Sequence, residues 1–224
     1  MPAKQDVLYV GEIPVILRRT RRRGATLSFR NGQFFLSASL LMPRFELELF
    51  LNSKRSWMAR QIANPRKNVR IRWEEGSDVY ILGEKKTLRL IPASRSHVVL
   101  NGEFLFVYGP SQAAMEKSFR KFAEEQLDII LDGFRRELTY PVGDYFLNYR
   151  FYTSRWGCCN KRTRQVTMNL WCIGLPLEGI RYIYCHELAH LKVSNHQKAF
   201  YSHLAEILPD YRSGLRLTKD YTIS

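Results

Sequence analysis

His186-Glu187-Leu188-Ala189-His190, followed after five residues by His196, are the residues of this chain whose types and spacing can do chemistry. On a helix, positions four apart share a face, so the imidazoles of His186 and His190 can converge on one ion while Glu187 reaches water held by that ion. His196 offers a third nitrogen. Three imidazoles leave the fourth tetrahedral position of Zn2+ to water, the open arrangement of a catalytic rather than a structural site. Glu187 would then take the proton of the water that attacks a polarised carbonyl and pass it to the leaving group. The tetrahedral oxyanion needs a further positive or hydrogen-bonding group, for which Arg155, His203 and Tyr201 are candidates in falling order. Plainer readings exist: an isolated histidine on an apolar helix face is usually a core residue, and Arg155 beside Trp156 could simply stack and brace the fold. His203 and Glu206, in the turns that follow, compete with His196 for the third ligand position.

The motif demands a helix and a reversal after it. Pro176, following Gly174-Leu175, suits a helix start, Glu178 complements the N-terminal dipole, and Ile180, Ile183, Tyr184, Leu188 and Leu191 form an apolar stripe. Ser194-Asn195 supplies the bend, since Asn tolerates the left-handed conformation that closes a helix. A second helix over about 196 to 208 presents His196, Phe200, His203 and Ile207 on one face until Pro209 stops it.

Upstream, residues 7 to 39 read as strands, with Thr26 to Arg30 and Gln33 to Ala38 joined by Asn31-Gly32. Pro43 opens a helix to about Ile62 that turns Phe45, Leu49, Trp57 and Ile62 toward the core and ends at Asn64-Pro65. Strands return around Gly83 and around Asn101-Gly102. Met115, Phe119, Phe122, Ile129, Ile130 and Phe134 stand at helical spacing over 112 to 138, before the Tyr140-Pro141 break. Tyr149 to Ser154 and Arg164 to Trp171 read as an antiparallel pair beside the motif helix. No internal repeat or long polar linker is visible.

Taken together, Arg155-Trp156-Gly157-Cys158-Cys159-Asn160, Met168-Asn169-Leu170, His186 to His190, Asn195-His196-Gln197-Lys198-Ala199-Phe200 and Leu208-Pro209-Asp210-Tyr211 resemble the YgjP-like metallopeptidase family, related to SprT-type zincins. The basic opening strands and the helix of Trp57 extend the likeness over nearly the whole chain. Cys158 stands where the family usually has Ser. The resemblance implies a zinc metallopeptidase with a polypeptide substrate. The fold class it suggests is α+β: a β-rich N-terminal lobe, residues 1–110, packed on a zincin-like C-terminal lobe, 111–224, that carries the HExxH helix.

A chain of 224 residues with 45% hydrophobic content can bury one large core or two modest ones without disulfides. The four cysteines show no CxxC spacing or regular framework, which fits reduced thiols in the cytoplasm. The opening residues Met1 to Asp6 lack the apolar centre of a signal peptide, and no run is long enough to span a membrane. Thirty-five Lys and Arg against 21 Asp and Glu give a formal charge of +14, which favours acidic partners, nucleic acid and nucleotides among them. The densest block, Arg18-Arg19-Thr20-Arg21-Arg22-Arg23, reads first as an exposed strand edge kept soluble by charge, and only second as a nucleic-acid contact. Two readings therefore stand beside the peptidase: a metal-dependent nucleoside triphosphate pyrophosphohydrolase, and a nucleic-acid-associated module with structural zinc. The first has no Walker-type phosphate loop in its favour. The second needs a fourth protein ligand, which only His203 could supply.

Overall fold

The computed structural model describes residues 6–30, 32–63 and 66–223, and the fold is mixed α+β. Asn31 of the expected Asn31-Gly32 turn, the Asn64-Pro65 helix stop and residues 1–5 of the opening segment lie outside the described residues.

The chain divides into two compact units after Arg66. In the first, strands β1 (Asp6–Val10), β2 (Ile13–Thr20), β3 (Ala25–Arg30) and β4 (Gln33–Ser39) form one sheet in the order β1-β2-β4-β3. The outer pairs are antiparallel and the central β2-β4 pair is parallel. Alternation places Phe34, Leu36 and Ala38 of β4 on the buried face, as a period of two requires. Helices α1 (Arg44–Ser53) and α2 (Arg55–Ala63) add Leu47, Leu51 and Met58 to that core. The single helix expected from Pro43 to Ile62 is thus two. Lys54 has φ −99° and ψ 0° and donates its N–H back to Leu51, so the helical phase is reset there. The expected inward stripe is corrected accordingly: Phe45, Leu49 and Ile62 are exposed, and only Trp57 of that set packs on the core.

The basic block is heterogeneous. Arg21, Arg22 and Arg23 are exposed in the turn after β2. Arg19 instead donates from one guanidinium nitrogen to the carbonyls of Ser39 (2.8 Å) and Met42 (2.7 Å), closing the segment that leaves β4.

The second unit repeats the sheet plan of the first. After the short β5 (Lys67–Asn68), strands β6 (Asp78–Ile81), β7 (Glu84–Pro92), β8 (His97–Asn101) and β9 (Phe104–Gly109) pair in the order β6-β7-β9-β8, again with a parallel centre and antiparallel flanks. Each hairpin closes on two residues that include a glycine at positive φ: Gly11, Gly32, Gly83 and Gly102. The repeat is one of topology. Its sequence trace is confined to these turns and to alternating strands, so no repeat was visible in the chain.

Helix α3 (Gln112–Glu137) follows, its N-terminus capped by the Ser111 hydroxyl on the Ala114 N–H. It buries Met115, Phe119, Ala123, Leu127 and Leu131. These residues share one apolar cluster with Leu88, Leu105 and Val107 of the sheet and with the helices of the C-terminal part. That continuity joins the second sheet to the C-terminal helices in one compact unit that starts at Lys67, ahead of the boundary at 110 expected from the sequence.

The strands nearest the motif differ most from expectation. β10 (Phe146–Arg150) and β12 (Gln165–Asn169) are parallel, and the antiparallel neighbour of β12 is β11 (Gly157–Asn160). The Arg155-Trp156-Gly157 segment therefore crosses over and re-enters as an edge strand. A buried 3-10 turn (Leu170–Gly174) leads to α4 (Leu177–Ala189), then α5 (Lys198–Ile207), α6 (Tyr211–Thr218) and β13 (Tyr221–Thr222), which pairs with β5. No described helix is long and apolar enough to cross a membrane.

The two roles within the arginine block are separable by stability. Arg19→Gln should lower the unfolding free energy by about 1–3 kcal/mol, because two carbonyls lose a charged donor. Simultaneous Arg21→Gln, Arg22→Gln and Arg23→Gln should change it by less than about 0.5 kcal/mol. Thermal denaturation of both variants checks the contrast, and equal losses would show that Arg19 is another solvated charge.

Candidate metal centre

α4 is helical for reasons its sequence states: Pro176 precedes it, Glu178 occupies its first turn, and Ile180, Ile183, Tyr184 and Leu188 are all buried. Gly214 of α6 lets that helix approach closely, since a Cβ there would stand 2.5 Å from both the Glu178 carbonyl oxygen and Tyr182 Cβ. His186 and Glu187 lie in the last turn and His190 is the C-cap. The reversal beyond is not made by a left-handed Asn195, because among the described residues only Leu82 and Arg164 are non-glycines at positive φ. It is spread over Leu191 to Gln197 instead. Val193 donates its N–H to Ala189, and the Asn195 side chain accepts from the Gln197 N–H at 3.3 Å. α5 starts at Lys198, so His196 sits on the loop before it rather than on its first turn.

These elements bring three imidazoles together. His196 Nε2 lies 3.0 Å from His186 Nε2 and 3.1 Å from His190 Nε2. His190 Nδ1 is 2.9 Å from the Val193 carbonyl, to which it donates, leaving the Nε2 of a neutral ring bare. His186 Nδ1 is 3.3 Å from the Tyr182 hydroxyl one turn earlier. Phe200, fully buried, floors the cluster with ring centroids 4.9, 4.5 and 4.8 Å from His186, His190 and His196.

The cluster fits a cation by its own hydrogen-bond arithmetic. His196 Nε2 can place one proton between itself and one neighbour, or none. One of the two contacts must then oppose two lone pairs, which a shared positive ion turns into an attraction. Nitrogens on a tetrahedral zinc ion stand roughly 3.3–3.4 Å apart, close to the spacing here. Burial reinforces the neutral state that ligation requires. It pushes His186 down to about 4, helped by the other two rings, and lowers His190 as well.

Glu187 opens into the same pocket, ≈ 600 Å³, as the three histidines. It is 6% exposed, and burial raises its pKa to about 7 against the opposing charge of Arg155. Arg155 lines this pocket too, with its guanidinium carbon 5.4 Å from the Tyr152 ring centre. The other oxyanion candidates are elsewhere. His203 is buried against Tyr140, bonds Glu206 at 3.0 Å and lines a separate cavity, while Tyr201 stacks on Tyr211. Cys158 and Cys159 are half-buried free thiols at the pocket wall, and Cys172 and Cys185 are buried.

A model of the YgjP-like metallopeptidase domain matches residues 23–219. This chain belongs to that family. Membership makes the protein a hydrolase of the metallopeptidase class. Among solved structures, the metallopeptidase zymogen abylysin of Pyrococcus abyssi is similar at 20% identity, covering 46% of this chain and 99% of its own, with a TM-score of 0.32. The zymogen jannalysin of Methanocaldococcus jannaschii is similar at 16% identity over 42% of this chain and 93% of its own, with a TM-score of 0.30. No curated protein matches this chain significantly.

Two residues of the motif segments, Asn169 and Gly157, shape the pocket without carrying chemistry of their own. Asn169, fully buried, spends both ends of its amide. Its Nδ2 donates to the carbonyls of Tyr152 (2.9 Å) and Arg155 (2.7 Å), and its Oδ1 accepts from the N–H groups of Tyr152 and Trp171. The loop that carries Arg155 is thereby pinned to the end of β12. Gly157 lies so near Glu187 that a Cβ would meet Glu187 Cγ at 2.7 Å and Oε1 at 2.9 Å. A motif of Arg-Trp-Gly ahead of a strand was visible, but the packing of its glycine on an acid thirty residues later was not.

Gly157→Ala should therefore displace the Glu187 carboxyl while leaving the imidazoles in place. Zinc binding by titration calorimetry should change by less than about threefold, whereas hydrolysis should fall by about a hundredfold, the cost of misplacing a catalytic group by an ångström. Equal losses in both measurements would mean that the alanine has disrupted the helix rather than the acid.

Proposed function

We infer that this protein is a zinc-dependent metallopeptidase in which His186, His190 and His196 hold the ion and Glu187 is the general base. The observation that carries the reading is the convergence of three Nε2 atoms in one pocket with a buried carboxyl, in a chain of metallopeptidase family. A zinc ion held there supplies a Lewis acid that polarises a peptide carbonyl and acidifies water.

The chain's own contributions follow from the geometry. The Val193 carbonyl holds the His190 proton at Nδ1, and the Tyr182 oxygen does the same for His186, so that both Nε2 lone pairs face inward. Phe200 closes the cluster from below and excludes water from that side. Glu187 accepts a proton from water at its carboxylate and returns it to the leaving amine, a double duty suited to a group whose affinity for protons burial has raised toward neutrality. Arg155, held on its loop by Asn169, provides positive charge for the developing oxyanion. The substrate is a polypeptide, and the free cysteines fit work in the reducing cytoplasm.

The structural-zinc reading loses support because His203, its required fourth ligand, is bonded to Glu206 in another cavity. No described feature favours the nucleotide pyrophosphohydrolase.

The test separates binding from chemistry. His186→Ala and His190→Ala should each lose stoichiometric zinc by metal analysis, and His196→Ala should weaken it by about 10–100-fold or more. Glu187→Gln should keep zinc but reduce peptide hydrolysis by about 10²–10⁴-fold, since the amide retains the shape and cannot accept a proton. Tightly held zinc in either of the first two variants, or wild-type turnover in Glu187→Gln, would overturn the assignment.

A further inference from the structure

A second groove, ≈ 620 Å³, opens beside the histidine pocket and shares Arg155, Cys158, Cys159, Lys161 and Ser194 with it. Its floor is the outer face of the three-stranded sheet. The register places Asn148, Thr167 and Cys158 in one row across β10, β12 and β11, and all three line the groove. Its rim carries Arg150, Arg155, Lys161 and Arg162, and no Asp or Glu lines it at all. None of the four cations forms an ion pair among the described residues. Arg155 lies over the Tyr152 ring, and Lys161 donates to the Lys192 carbonyl at 2.8 Å. Basic side chains on α3 show the contrasting arrangement, since Arg120, Lys121 and Arg136 each pair with an acid one turn away. A local cluster of unpaired positive charge therefore stands where the histidine pocket opens onto the sheet.

We propose that this groove is a substrate subsite that selects acidic side chains, Asp or Glu, in the polypeptide close to the bond to be cut. The inference rests on the peptidase reading and adds a substrate class to it. An extended peptide crossing the histidine pocket continues into the groove because the two share a wall. Carboxylates are the groups that cations around a groove lined by no acid attract, and Arg supplies paired donors to them. Basic side chains are excluded by the same field. Arg150 on β10 and Arg162 on the β11–β12 turn are the selective contacts, since they line this groove and not the histidine pocket.

The experiment is a cleavage profile of the zinc-loaded protein on a mixed peptide library, with cut positions read by mass spectrometry. Acidic residues should be enriched on one side of the cut. Arg150→Gln with Arg162→Gln should reduce the preference of acidic over neutral sequences by about tenfold. Arg150→Glu with Arg162→Glu should invert it toward Lys, an outcome that loss of folding cannot imitate. Cleavage without acidic enrichment, or enrichment indifferent to both double variants, overturns the subsite. If no peptide is cut, the peptidase reading itself has failed. The groove is then judged on the Glu187→Gln protein by the anisotropy of a fluorescein-labelled Glu-rich peptide. Binding no tighter than that of its Gln counterpart, or weaker than that of inorganic triphosphate, overturns the proposal as well.

Discussion

The site depends on a helix that is buried almost all the way round. Nine of the thirteen residues of α4 are buried, from Gly179 to Ala189. Such a helix has no freedom to roll or slide, because every side is packed. Its C-terminal turn is where the burial runs out, and there His186 is half-buried and His190 caps the end. The imidazoles inherit the immobility of the core while their Nε2 atoms reach open space. Support comes from both sides: Gly214 brings α6 against the start of the helix, and Gly157 brings β11 against its end. Each contact works only because a side chain is missing, so the precision of the pocket is stored in positions that carry no chemistry.

Which parts of this were legible follows from the range over which each signal acts. The HExxH spacing, the 3.6-residue stripes of α3 and α4 and the glycine turns are local, and the helices and hairpins came out close to where the sequence put them. Pairing between distant strands is not local. Tyr149 to Arg150 and Gln165 to Asn169 have the alternation of strands, but alternation does not say whether two strands run parallel, and a hairpin is the natural guess when few residues intervene. The answer lay in Asn169, whose amide ties down the crossing loop and so makes room for β11 between them in sequence and outside them in space. The break at Lys54 was hidden for a related reason. Neither Ser53 nor Lys54 is a strong helix breaker, and packing of Leu51 and Met58 on the sheet outweighs the propensity for one long helix.

Net charge proved a poor guide to any one residue. Arg19 belongs to the most basic run of the chain, yet its guanidinium serves as a backbone clamp on two carbonyls. Arg164 stands at φ 51° and points its side chain at the Val142 and Asp144 carbonyls, another structural use of a cation. A count of Lys and Arg weights these equally with the cations gathered around the sheet groove, although their side chains are committed to holding backbone rather than free to meet a partner. Composition bounds the kinds of partner, and placement decides where one would be met.

Burial also explains how two adjacent residues of α4 come to be complementary. The same low-dielectric surroundings press Glu187 and His186 in opposite directions on the pH scale, the acid upward and the imidazole downward. Chemically these are one direction, since both groups are driven toward their uncharged forms. A pocket that discourages the charge of each group separately leaves the fixed guanidinium of Arg155 as the charge that Glu187 feels. It also favours neutral rings at His186 and His190, whose Nε2 atoms converge with that of His196 on a place where a cation could sit. The packing of α4 therefore biases these neighbours before anything binds: it favours neutral imidazoles at His186 and His190 and raises the proton affinity of the acid between them, because the helix that carries all three has little water around it.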